Sequence, residues 1–200
     1  VTGVQTCALP ICLRTQTGQN DILSQGIKRF KLYENTIRNI FVKTNSDPDW
    51  LAVPFLESSF NPLAISKVGA TGTWQIMEYI GKRLMPVNKY VDARKNPILA
   101  TYAGLKILRQ NRIITKNKDI SVVAYNSGLR NYFKIRNKLK KKVISTEEFL
   151  KTSKKKTNYF DFASENFLME YFAMIEYLKK SNIHFEKKKS RNVSSRIDIY

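Results

Sequence analysis

ESSFNPLAISKVGATGTWQIM, residues 57–77, is the stretch that decides the fold of this chain. Glu57 is its first residue and the only acidic group between Leu51 and Met77. It follows Ala52, Val53, Phe55 and Leu56, and it precedes a segment rich in turn formers: Ser58, Ser59, Asn61, Pro62, Ser66, Gly69 and Gly72. A carboxyl that ends an apolar helix and faces a Gly-rich loop lies at the edge of a cleft, partly out of water. Desolvation raises a carboxyl pKa and keeps the group protonated near neutral pH, able to donate a proton. Taken alone the signal is weak, because a Glu at a helix end is more often a solvated surface residue.

Working outward, the flanking segments read as helices. Ile22, Ile27, Phe30, Tyr33, Ile37, Ile40 and Phe41 recur at three- and four-residue steps, predicting helix across 21–45. Asp47-Pro48 is a cap followed by proline at a first helical position, opening a helix that runs to Glu57, with Pro54 a point of kinking. After Thr73 the spacing of Trp74, Ile76, Met77, Ile80 and Leu84 predicts a further helix. Others are expected over 97–113, over 120–125 with Asp119 as cap, and over 163–180. Alternating strand patterns are scarce, so the expected class is mainly α.

Composition sets outer limits. Two hundred residues with 42% hydrophobic content suffice for one compact domain and hardly for two. Thirty-five Lys plus Arg against sixteen Asp plus Glu leave a net charge of +19. Such a surface attracts polyanions, though it is equally consistent with plain solubilisation. Lys138 to Lys142 and Lys151 to Lys156 are the densest clusters, and they suit an anionic cell-wall polymer or a membrane surface. Nucleic acid is not an expected partner: the basic segments lack interleaved aromatic platforms, and no helix-turn-helix or zinc pattern appears. No run of about 18 apolar residues is present to cross a membrane. The opening VTGVQTCALPI resembles translated sequencing adapter, so residues 1–11 are expected to be non-native and any export signal to lie beyond what remains. Cys7 and Cys12 carry no disulfide framework or metal spacing. The remaining divisions are a helical lead-in at 12–45, a catalytic domain at 46–180 and a basic tail or truncated linker at 181–200.

Three ordered blocks lift the weak reading of Glu57. The first contains Glu57-Ser58, Phe60-Asn61-Pro62, Ala64-Ile65-Ser66, Gly69-Ala70-Thr71-Gly72 and Gln75-Ile76-Met77. The second is VDARKNPILATYAGLKIL, residues 91–108, and the third is Ala124-Tyr125-Asn126-Ser127-Gly128. Together they resemble the lytic transglycosylases with a goose-type lysozyme-like fold. The segment from Gly18, with Phe162 to Phe167 downstream, is similar to the membrane-bound lytic murein transglycosylase D branch. Departures exist: Glu78 and Ile80 stand where the family places Pro and Ser or Thr, and Leu129 follows Gly128 where it tends to repeat Gly.

The resemblance implies a helical domain with a substrate cleft that cleaves the β-1,4 bond between N-acetylmuramic acid and N-acetylglucosamine in peptidoglycan. It implies a place in the cell envelope, and neither metal nor organic cofactor. Glu57 would be the catalytic acid and then base, closing a 1,6-anhydro ring. Ser66 and Gln75 would hydrogen-bond the sugar, Met77 would line its apolar face, and Tyr125 would point its hydroxyl toward Glu57 or the sugar. Asn126 would either anchor backbone or touch substrate. Trp74 is either a sugar platform or a core residue, and Gly69 and Gly72 either admit the glycan or serve ordinary turns. Most glycosidases need a second carboxylate. Asp92 is expected to order a loop and Asp119 to cap a helix, which leaves Glu78 as the open candidate. His184, the only histidine, has no assigned role. Two other readings stay open: a hydrolytic muramidase of the same fold, and a glycan-binding module that has lost catalysis.

Overall fold

The computed structural model describes residues 19–154 and 162–184. The adapter-like opening, both cysteines, Lys155 and Lys156 and most of the basic tail lie outside the described residues. Within them the chain is helical, with only isolated β-bridges and no strand.

The segment predicted as one helix over 21–45 is two, α1 (Gln19–Lys31) and α2 (Glu34–Lys43). Leu32 and Tyr33 close α1 with tight turns onto Arg29 and Phe30, and Tyr33 caps α2 through no side-chain bond. Apolar spacing continues across this break, so periodicity alone does not mark it. Buried Phe30, Ile37, Ile40 and Phe41 turn toward the core on both sides of it.

Asp47 accepts a hydrogen bond from the Asp49 amide at 3.1 Å and starts a 3-10 turn, Pro48–Leu51, that leads straight into α3 (Ala52–Ser58). Pro54 falls in the first turn of α3, where an amide has no partner within that helix, so its missing N–H costs little there. Ser59 and Phe60 then adopt left-handed φ of 48° and 58°, and their amides bond back to Phe55 and Pro54. Phe60 is thereby turned inward against Phe30 and Phe55, with ring centroids 5.4 to 5.8 Å apart. This trio locks the end of α3 to α1 and fixes the direction in which Glu57 leaves the helix.

Residues 61–77 are not helical. Thr71 bridges both Ile65 and Ile76, Gln75 has φ +46°, and Gly72 has φ +81°. The helix expected from Trp74 begins only at Glu78, as α4 (Glu78–Leu84). Trp74 decides the difference: it is fully buried, with its indole N–H donating to Thr101 Oγ1 at 3.1 Å. A Cβ on Gly104 would lie 2.2 Å from the Trp74 ring, so that glycine is what lets the next long helix close over the indole. The three- and four-residue spacing of Met77, Ile80 and Leu84 thus belongs to α4 and its cap, and the buried residues before it, Trp74 and Ile76, belong to the loop.

Asp92 caps a 3-10 turn, Ala93–Lys95, and Asn96 then caps α5 (Pro97–Thr115) through the amides of Ile98 and Leu99. The cap of α6 (Lys118–Ser127) is Asn117, which accepts from the Asp119 and Ile120 amides. Asp119 was the expected cap. It sits instead in the first turn, where its charge suits the helix dipole, and it accepts from Thr146 Oγ1 at 3.0 Å. Then come α7 (Leu129–Leu139), α8 (Thr146–Lys154) and α9 (Phe162–Lys180). The last packs against α3 and α6, and its buried Phe167, Leu168, Tyr171 and Leu178 complete the core. The two elements carrying the Glu57 and Tyr125 motifs are thus held by one common helix.

Candidate active site

Glu57 lies in the last turn of α3, Tyr125 and Asn126 in the last turn of α6, and Ser66, Gln75 and Met77 on the loop between α3 and α4. All six line one pocket of about 290 Å³. Every residue expected to touch substrate is therefore brought to one place, against apolar walls that include Val68, Ile80 and Ile107.

Burial pushes the Glu57 carboxyl up to about 7, while a hydrogen bond from the Asn126 side chain pulls in the opposite direction. Desolvation wins because α3 and its surroundings are apolar and no cation compensates the charge: the pocket lining contains no Lys, Arg or His. Asn126 is thus a partner of the acid.

Each neighbour has its hydrogen-bonding capacity partly committed, and this fixes what it can still offer. Tyr125 donates its hydroxyl proton to the Trp74 carbonyl at 2.6 Å, so toward the pocket its oxygen can only accept. Its ionisation is pushed far up by burial and by the nearby Glu57 charge, so it stays a neutral phenol. Gln75 donates to the Gly72 and Ala64 carbonyls at 2.9 and 3.2 Å, which leaves its amide oxygen as an acceptor. Ser66 accepts from the Ala70 amide at 3.0 Å and keeps its own proton to donate. Besides the Asn126 amide, a ligand here therefore meets two acceptors, one hydroxyl donor and a protonatable acid.

Two groups with no predicted part in the site hold this arrangement. Arg94 is buried beneath the loop, paired with Asp92 at 2.8 Å, and donates to the Gly69 and Ile76 carbonyls at 3.1 and 3.0 Å. Ser58 donates to the Thr73 carbonyl at 2.9 Å and accepts from the Asn61 amide, tying the end of α3 to the same loop. The sequence signal for Arg94 was its place two residues after Asp92. Gly72 has φ +81° and lies flush against the Arg94 backbone, where a Cβ would come within 1.9 Å of its carbonyl oxygen, so it serves packing; Gly69 has open space around it. Trp74 is core and no sugar platform.

Glu78, the open candidate for a second carboxylate, is solvent-exposed, ion-paired with Lys82 and absent from the pocket lining. Asp92 orders its loop as expected. Among the described residues Glu57 is the only carboxylate lining the pocket. His184 bonds Asp49 at 3.2 Å, beside Lys118, and takes no part in the pocket. Among the described residues no group of three or more His, Cys, Asp or Glu is placed to hold a metal ion.

Comparison with known proteins bears on this arrangement. Residues 36–147 match the family model of the Transglycosylase SLT domain. Membrane-bound lytic murein transglycosylase D of Escherichia coli K12 is 33% identical over 88 residues, covering 43% of this chain and 20% of that protein. Membrane-bound lytic murein transglycosylase C of Photorhabdus laumondii is 30% identical over 130 residues, 58% of this chain and 36% of that protein. The chain thus spans about a fifth to a third of the curated relatives it matches. The crystal structure of the 70 kDa soluble lytic transglycosylase of Escherichia coli superposes with a TM-score of 0.59 at 17% identity, over 75% of this chain and 24% of the other, and so shares its fold. On the match across 36–147, which takes in α3, the loop, α5 and α6 with their site residues, this chain belongs to the Transglycosylase SLT domain family.

Proposed function

We propose that the domain is a peptidoglycan lytic transglycosylase that cleaves the β-1,4 bond between N-acetylmuramic acid and N-acetylglucosamine and leaves 1,6-anhydro ends. The observation that carries this reading is one desolvated carboxyl, Glu57, with no carboxylate partner in its pocket. Glu57 starts protonated and gives its proton to the bridging oxygen as the bond breaks. The substrate's acetamido oxygen stabilises the cationic sugar, and the Glu57 carboxylate then takes the proton of the muramyl 6-hydroxyl as that oxygen closes the ring. A single group that returns to its starting state needs no second carboxylate and no activated water. Gln75 and Tyr125 accept from sugar N–H or O–H groups, and Ser66 donates to an acetamido or hydroxyl oxygen, so the three fix the ring relative to Glu57. Mass spectrometry of digested sacculi tests the chemistry: ends lighter by one water are expected, and ordinary reducing ends would establish hydrolysis instead.

The two curated relatives are membrane-bound by name, and we place this chain in the cell envelope on that ground. We assign the lysine clusters to anionic cell-wall polymer or the membrane surface. Lys138, Lys140, Lys141 and Lys142 are exposed at the end of α7, although Lys141 is partly neutralised by Glu148 and Lys151 by Glu147. Contacts of this kind are screened by salt. Co-sedimentation with purified sacculi is therefore expected to fall steeply between low and physiological salt, and salt-independent pelleting would remove the assignment.

A further inference from the structure

Beyond Ile80 and Ile107 the Glu57 pocket opens into a larger one of about 680 Å³ that shares Met77, Tyr125 and Asn126 with it. A glycan threaded past Glu57 in this direction must enter that arm. Its walls are α4, α5 and the junction of α6 with α7 at 124–129. Tyr79 and Arg83 stand four residues apart on α4, and Lys106 and Gln110 four apart on α5, so each pair shares one helix face. Tyr79 is 66% exposed and offers a flat apolar surface.

The charges in this arm are unbalanced. Neither Arg83 nor Lys106 has an acidic partner among the described residues, whereas Lys82, beside Arg83, is paired with Glu78. Among the described residues no Asp or Glu lines the arm. Two uncompensated cations in a concave, acid-free site concentrate positive potential where a ligand must pass. Neutral hydroxyl and acetamido groups gain little from that. A carboxylate gains a great deal, and a guanidinium suits its two oxygens. In a peptidoglycan strand the carboxylates are carried by the muramyl unit, either as the free lactyl group of a peptide-free sugar or along an attached stem peptide.

We infer that Arg83 and Lys106 form a carboxylate-recognition site for the muramyl unit bound in the arm beyond Ile107, so that the enzyme reads the acidic substituent as well as the sugar. This rests on the peptidoglycan reading above. It is tested on the full chain carrying Glu57→Gln, which removes turnover, by measuring the affinity of three tetrasaccharides. One is peptide-free and contains muramic acid, one bears stem peptides, and one is made only of N-acetylglucosamine. Adding Arg83→Gln and Lys106→Gln is expected to weaken at least one acidic probe by about ten-fold, the scale of lost charge-assisted hydrogen bonds, and to leave the N-acetylglucosamine probe unchanged. Loss on the peptide-free probe identifies the lactyl carboxylate as ligand; loss confined to the peptide-bearing probe identifies the peptide. Arg83→Lys with Lys106→Arg should restore most of the affinity. Equal loss on all three probes, or no loss on either acidic one, overturns the inference. If the Glu57→Gln parent binds none of the three, the peptidoglycan reading itself falls.

Discussion

Replacing Glu57 by Gln is expected to cut glycan cleavage at pH 6 by about a thousand-fold or more, near the upper range for general acid–base catalysis, because in the proposed mechanism one carboxyl serves both proton transfers. The change preserves size and leaves an amide that can still meet Asn126. Loss of activity should therefore come without loss of glycan binding. In the unmodified protein kcat/KM should decline as pH rises through about 7, since the starting form must be protonated and its fraction drops about ten-fold per pH unit beyond that point. Activity that survives Glu57→Gln, or that rises steadily to pH 9, would sink the assignment.

The same substitution should stabilise the protein, and only at higher pH. The folded-state pKa of Glu57 lies above its ordinary value of 4.5, so between pH 4.5 and about 7 the native state binds a proton that the unfolded chain has released. Stability is then highest below pH 4.5 and declines as pH rises to about 7, by up to about 3 kcal/mol for a shift of this size, and holds level above. Gln has no such cost. Tm of the two proteins should nearly coincide at pH 4.5 and separate by several degrees at pH 8, with Glu57→Gln the higher. A catalytic acid that destabilises its own fold at neutral pH is the expected signature of a group held in place for chemistry.

How much of this was legible in the sequence varies with the kind of physics involved. The six pocket residues were readable because they come from short blocks in fixed order. Caps were half readable: Asp47 was found from its Pro48 neighbour, whereas Asn117 and Asp119 stand two apart, are both competent caps, and are separated only by which carbonyl or amide lies opposite. The loop over 70–77 misled because the true helical spacing of Met77, Ile80 and Leu84 follows directly on Trp74 and Ile76, which are buried two residues apart, one from a turn and one from a bridge. Periodicity counts buried positions, and a loop stitched around a tryptophan has them too. The break at Tyr33 leaves no mark in the apolar pattern at all. Arg94's role and the pairing of Asn126 with Glu57 escaped for one common reason: the partners, the Gly69 and Ile76 carbonyls in the first case and Glu57 in the second, are distant in sequence and become neighbours only in the fold.

Arg94→Met is expected to cost about 2–4 kcal/mol of stability, the scale of leaving two loop carbonyls without their donor and a partly exposed Asp92 without its cation, and to lower activity in the fraction that stays folded. Four hydrogen bonds leave with the guanidinium: two to Asp92 side-chain oxygens at 2.8 Å and one each to the Gly69 and Ile76 carbonyls; only the backbone amide of residue 94 still donates to Asp92. Asp92 is then a carboxylate without its cation, and two loop carbonyls lose their donor. Gly69 and Ile76 bracket Gln75 and follow Ser66, so the loop that positions both residues loses its anchor from below. Arg94→Lys should recover little, because an ammonium cannot reach Asp92 and both carbonyls in one plane. Position matters more than charge here, and an Asp92→Asn, Arg94→Met double variant checks it. If the lone carboxylate causes most of the loss, the double variant should regain stability relative to Arg94→Met alone; its activity should nevertheless stay low, since the loop remains unheld. Full activity in the double variant would show that Ser66 and Gln75 are placed by the Ser58 and Trp74 contacts without help from Arg94.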